Sequence, residues 1–131
     1  MTLVADASAT VMALVDGGAW GDEARAVLGA DDVVAPALLD VEIAQALRRR
    51  VLGGKLEAVT AGRAIADLGV LPIRRLDVVP LLSRIWEVRH DVSAYDAAYV
   101  ALAEAFDAVV LTADTRLAKA DGVRCAFRVL G

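Results

Sequence analysis

Cysteine, histidine, aromatic residues and positive charge are all scarce in this chain of 131 residues, and each shortage removes a class of explanation. The one cysteine, Cys125, forbids an internal disulfide, and its setting in Val123-Arg124-Cys125-Ala126-Phe127 reads as a small buried hydrophobe rather than a reactive thiol. One Cys and one His, His90, together exclude a structural zinc site. The start, Met1-Thr2-Leu3-Val4-Ala5-Asp6, has no basic segment followed by an apolar one, and no later stretch reaches the ~18 uncharged apolar residues of a membrane span, so a cytoplasmic protein is expected. Lys and Arg number 14 against 18 Asp and Glu, for a net charge of −4. That balance, with a pI of 4.9, argues against holding nucleic acid on a broad basic face, although it leaves open phosphates met through bound cations. Aromatics make up only 5% of a chain that is 58% hydrophobic. At a mean hydropathy of +0.55, some of that Ala, Val and Leu surface is expected to meet another chain. There is no repeat, linker or low-complexity segment, and the length suits one domain over residues 1–131.

What is present is a series of short apolar runs alternating with helical patterns. Leu3-Val4-Ala5 reads as a buried strand that stops at Asp6. Residues 7–15 read as a helix stopped by Asp16-Gly17-Gly18, and 20–28 as a second, closing at Gly29. Residues 32–36 form a short strand ended by Pro36, which opens a helix over 37–51. In that helix Leu39, Ile43, Leu47 and Val51 mark the core face, while Arg48, Arg49 and Arg50 crowd the last turn, where positive charge suits the helix dipole. Gly53-Gly54 breaks the chain before a helix over 57–68. Residues 70–76, with Pro72 inside, fit an edge strand. Residues 79–88 read as helix, as does the strongly apolar 93–106, where Tyr95, Tyr99, Leu102 and Phe106 share a stripe. The clearest buried strand, 108–112, leads to Asp114; a short helix over 115–120 and a strand over 123–129 finish the chain. This alternation implies right-handed crossovers and a mainly parallel sheet covered on both faces, with ligands expected at the carboxyl ends of its strands.

Four acids stand in apolar settings with no local counter-charge: Asp6, Glu42, Asp96 and Asp114. Each has a structural reading. Asp6 and Asp114 follow strands and suit helix N-caps. Glu42, like Asp40 beside it, fits a solvated acid near a helix N-terminus, although Gln45 and Ala46 one turn on offer it no cation. Ser93-Ala94-Tyr95-Asp96 has the form of a capping box. Yet Asp96 opens a helix that is apolar nearly all round, and a buried carboxylate is costly unless something cationic meets it. Taken together, acids at the ends of neighbouring strands and on helices leaning over the same edge repel one another until protons or a metal relieve them. Oxygen-only ligands suit Mg²⁺ or Mn²⁺, and carboxylate-held magnesium suits phosphoryl chemistry. The four acids are therefore expected to converge on one cleft.

Four stretches, in this order and spanning nearly the whole chain, carry a family resemblance: Val4-Ala5-Asp6-Ala7-Ser8, Leu39-Asp40-Val41-Glu42-Ile43-Ala44-Gln45-Ala46-Leu47-Arg48, Tyr95-Asp96-Ala97-Ala98-Tyr99-Val100-Ala101-Leu102-Ala103 and Leu111-Thr112-Ala113-Asp114-Thr115-Arg116-Leu117. They resemble the PIN-domain ribonucleases, in particular the VapC-type toxins of bacterial toxin–antitoxin pairs. The resemblance implies a PIN-like three-layer α/β/α sandwich with a mainly parallel, roughly five-stranded sheet. It implies an endoribonuclease dependent on Mg²⁺ or Mn²⁺ that cleaves tRNA or another structured RNA and inhibits translation. The family acids map onto Asp6, Glu42, Asp96 and Asp114, with Asp6 and Asp96 the most direct metal ligands and Asp114 completing or tuning the metal site. Glu42 would orient or deprotonate the attacking water, and Thr112 or Ser8 would help hold a water at the metal. Arg116 is either a phosphate clamp or a solvated surface arginine. A homodimer, and an antitoxin that covers the active-site groove, are implied as well.

Other phosphotransfer folds also place Asp after parallel strands. A haloacid-dehalogenase-like domain wants a second Asp where Ser8 stands, and a receiver wants paired acids after its first strand and a lysine on its last. From a different class, a catalytically silent binding module would keep the acids only as caps.

Overall fold

The apolar runs become the strands of one five-stranded sheet in a computed structural model that describes residues 1–131. In chain order the strands are β1 (Thr2–Ala5), β2 (Asp32–Pro36), β3 (Ile73–Leu76), β4 (Val109–Thr112) and β5 (Phe127–Val129), arranged β3-β2-β1-β4-β5. Every neighbouring pair is parallel. Leu3, Val4, Val33, Val34, Val110 and Leu111 are all buried, as befits parallel strands covered on both faces. The helices are α1 (Ala7–Val15), α2 (Ala19–Ala30), α3 (Leu39–Leu52), α4 (Ala58–Leu68), α5 (Leu82–Glu87), α6 (Ala94–Phe106) and α7 (Thr115–Ala118). Helices α1 to α4 pack on one another, α5 packs on α6, and α1 and α6 lie on the sheet, giving an α/β sandwich. No helix is long and apolar enough to cross a membrane.

Several boundaries differ from the sequence expectation for local reasons. The helix after Pro36 starts at Leu39, because the Ala37 N–H donates to the Leu76 carbonyl (2.8 Å) and prolongs the β2–β3 ladder. Strand β3 begins only after Pro72 and occupies the sheet edge, where a proline is tolerated. Residues 79–88 open with a 3-10 turn at Val79–Leu81, which holds Pro80, before α5 begins. Strand β5 is shorter than 123–129 because the Arg124 N–H turns to the Glu104 carboxylate (2.8 Å) instead of to a strand. The stripe on α6 also splits: Tyr99 and Leu102 are buried, whereas Tyr95 is 67% exposed and Phe106 42%. Tyr95 and Phe106 stand in the first and last turns of that helix.

Two residues have other surroundings than expected. Asp40 is not a free solvated acid: Arg75 grips it with two bonds (3.2 and 2.9 Å) and also donates to the Leu68 and Ile73 carbonyls. The start of α3 is thereby tied to β3 and the end of α4. Cys125 is partly exposed, and burial in first place pushes its thiol up to about 11, which keeps it un-ionised and inert at neutral pH.

Asp16 shapes the elbow between α1 and α2. Gly18, the N-cap of α2, has no side chain to offer, so the Asp16 carboxylate accepts from the Gly18 and Gly21 N–H groups (both 3.0 Å). Arg25 meanwhile donates to the Ala13 and Asp16 carbonyls at the end of α1.

Candidate active site

Strand order reverses between β1 and β4, the switch point at which open parallel sheets place ligands outside their carboxyl ends. Pairing of Ala5 with Leu111 sets Asp6 beside Thr112 just beyond the ladder, and the Asp6 N–H donates to the Leu111 carbonyl (3.1 Å). Asp6 is only 6% exposed. Its Oδ1 accepts from the Ala9 N–H (2.9 Å) as N-cap of α1 and from the Ser8 hydroxyl (2.7 Å), while Oδ2 accepts from the Thr112 hydroxyl. Burial raises its pKa above the ordinary carboxylate value and the charge of Asp96 adds to the rise; the three hydrogen bonds oppose it.

Glu42 comes from the first turn of α3 and accepts a hydrogen bond of 2.5 Å from the hydroxyl of the buried Tyr99 on α6. Its pKa is raised, first by burial and then by the charges of Asp96 and Asp6, against the effect of Tyr99. Asp96 stands in the first turn of α6. Ser93 caps this helix by accepting from the Asp96 N–H (3.2 Å), so the capping residue is the serine and the Asp96 carboxylate faces the other acids. Burial raises its pKa and the charge of Asp114 raises it further. Asp114 caps the short helix α7 by accepting from the Arg116 N–H (2.9 Å) and lines a hollow of about 210 Å³ together with Asp96 and Arg116.

The acids are thus linked by mutual repulsion, Glu42 and Asp6 with Asp96 and with each other, and Asp96 with Asp114. They are near neighbours and not a closed ligand set, since no three acidic, His or Cys side chains stand together at metal-holding spacing.

Comparison with known proteins gives this arrangement a lineage. The profile of the PIN domain family matches residues 3–123. The chain belongs to the PIN-domain family. Ribonuclease VapC9 of Mycobacterium tuberculosis is 41% identical over 128 residues, covering 98% of both chains. Among solved structures, M. tuberculosis VapC20, described as a sarcin-ricin loop cleaving toxin, superposes with a TM-score of 0.69 at 21% identity, covering 93% of this chain and 96% of that one. VapBC2 from Rickettsia felis, solved bound to a DNA fragment from its promoter, superposes with a TM-score of 0.70 at 10% identity, covering 100% of both chains.

In this PIN domain the two hydroxyls expected near a water are both engaged with Asp6. Thr112 is fully buried, donates to Asp6 and accepts from the Asp114 N–H (2.9 Å); Ser8 lies 3.3 Å from it and accepts from the Ala113 N–H (2.9 Å). Arg116 is 91% exposed and reaches Asp114 at 3.4 Å. Sequence reasoning placed Tyr99 among the core stripe and missed its bond to Glu42. The signal was a hydroxyl on a buried aromatic, which needs a polar partner where Phe would need none.

Proposed function

We propose that this PIN domain is a Mg²⁺- or Mn²⁺-dependent endoribonuclease, the toxin of a VapC-type toxin–antitoxin pair, with residues 1–131 acting as one nuclease unit in the cytoplasm. The observation that carries the reading is Asp6: a buried carboxylate at the β1/β4 switch point, held by three donors and facing Asp96 and Glu42 across a field that only protons or a cation relieve. Kinship at 41% identity with a ribonuclease gives that chemistry its direction.

The donor set fits a hard divalent cation, because every candidate ligand is a carboxylate oxygen and no His or Cys stands among them. Asp6, Asp96 and Asp114 would hold it; when bound, the ion supplies charge neutralisation for a phosphodiester and eases deprotonation of water. Ser8, Thr112 and the Ala9 N–H fix the Asp6 carboxylate in position. Glu42, oriented by Tyr99 and raised in pKa, is poised to take the proton of the attacking water. Arg116 stands free enough beside Asp114 to meet a phosphate. RNA, with tRNA or another structured RNA as the target, a cognate antitoxin and a second copy of the chain are the partners this reading assigns. Val41, Leu52, Val59, Leu82 and Trp86 are exposed apolar side chains available for such contacts.

Asp96→Asn tests the reading. The variant is expected to lose Mg²⁺-dependent RNA cleavage while melting at the same temperature or slightly higher without metal, since one repelling charge is gone. Retained cleavage sinks the assignment. A parent protein whose melting temperature does not respond to Mn²⁺ supports a silent module in which the acids serve as caps.

A further inference from the structure

An acidic chain that acts on RNA must still hold the strand beyond the metal site, and a second cleft beside the acids offers the means. It has a volume of about 380 Å³ and is lined by Val41, Glu42, Gln45, Arg49 and Tyr95. Glu42, Gln45 and Arg49 follow one another at three- and four-residue spacing and so form one stripe of α3. Two helical turns, about 10 Å, separate Arg49 from Glu42. Opposite them stands Tyr95, in the first turn of α6 and next to Asp96, 67% exposed and with no hydrogen-bond partner in the protein. Arg49 enters none of the ion pairs, in contrast to Arg25, Arg75, Arg84 and Arg116, each of which has a carboxylate within reach. A free guanidinium and a bare aromatic face, flanked by a side-chain amide and opening beside a carboxylate cluster, are the elements that receive an unpaired nucleotide.

We propose that this cleft is a nucleotide subsite, in which Tyr95 stacks an unpaired base and Arg49 takes a phosphate of the same strand, leading single-stranded or looped RNA towards Asp96. The proposal rests on the ribonuclease reading for the chemistry next door, but the binding itself needs no metal. It predicts recognition of unstacked bases rather than duplex.

The test is binding of a short fluorescent oligouridine, followed by anisotropy in EDTA over a range of salt concentrations. Tyr95→Ala is expected to weaken binding about tenfold without changing the salt dependence, and Tyr95→Phe to bind as the parent does. Arg49→Ala is expected to weaken binding and to lower the slope of log affinity against log salt by about 0.7, the loss of one phosphate contact. Arg63→Ala removes another exposed arginine that enters no ion pair, on α4 and outside the cleft, and is expected to change nothing. The subsite is overturned if the parent does not bind, if Tyr95→Ala or Arg49→Ala binds as tightly as the parent, or if Arg63→Ala weakens binding as much as Arg49→Ala. Cleavage by the parent in Mg²⁺, measured alongside, separates the two ideas. RNA bound through Tyr95 and Arg49 yet never cut removes the ribonuclease reading and keeps the subsite. RNA cut normally by both variants, with unchanged binding, does the reverse.

Discussion

Asp6 performs two tasks with its two oxygens. Oδ1 caps α1 and Oδ2 takes the Thr112 hydroxyl, so serving as a helix cap and belonging to a charged cluster are compatible, where the sequence alone presented them as rivals. Glu42 depends on a single donor in the same way. The Tyr99 hydroxyl favours the ionised form of Glu42, and Tyr99 stays protonated because burial and the surrounding acids raise its own pKa. Tyr99→Phe removes that donor and lets the pKa of Glu42 climb further. With Glu42 as the base, the acid limb of the kcat/KM profile is expected to move up by about one pH unit, as loss of a hydrogen bond to a charged group worth about 1.5–3 kcal/mol allows. A profile that falls in height without moving assigns Tyr99 a purely structural part.

At the scale of the elements, glycines show where the backbone leaves no room. A Cβ on Gly21 would lie 2.0 Å from the Asp16 carbonyl oxygen, so the elbow between α1 and α2 closes only around a residue with none. Gly62, inside α4, has nothing within 4 Å of the same position. Gly21→Ala is expected to lower stability by about 1–3 kcal/mol, and Gly62→Ala to raise it by roughly 0.5–1 kcal/mol, both read from urea midpoints. Equal midpoints for the two variants would show that the elbow opens freely. The same contrast marks how much of the fold was legible in the sequence. β2 and α1, and the end of β1, could be placed to the residue because these boundaries are written locally, in Pro36, Asp16 and Asp6, whereas β1 begins one residue earlier than read, at Thr2. The Arg75 grip on Asp40, the Glu104 capture of the Arg124 N–H and the Tyr99 bond to Glu42 join residues 20 to 57 positions apart. No periodicity encodes such contacts, and for that reason the extent of β5 and the hydrogen-bond partners of the acids escaped the sequence.

For the whole molecule, two sets of carboxylates pull stability in opposite directions as pH changes. Asp6, Glu42 and Asp96 have raised pKa values in the fold, so each lowers stability above its folded value, and that penalty fades as pH falls and the group takes up a proton. Glu104 is the reverse case. Two bonds from Arg84 (2.7 and 3.1 Å) hold its pKa below 4.5, so its contribution is complete above that value and is lost as pH falls through the lowered one. Acidification from neutral pH without metal should therefore raise the melting temperature first, as Asp6, Glu42 and Asp96 are protonated, and lower it only below about pH 4.5, as the contribution of Glu104 is lost. Under the proposed metal-dependent reading, Mg²⁺ would relieve the same repulsion as protons do. Its stabilising effect is expected to be large near pH 7.5 and small near pH 5, and Asp96→Asn should shrink both the acid-side rise and the Mg²⁺ response together. Melting curves at the two pH values, with and without Mg²⁺, decide the matter: a metal response that does not depend on pH would place the ion away from these three carboxylates.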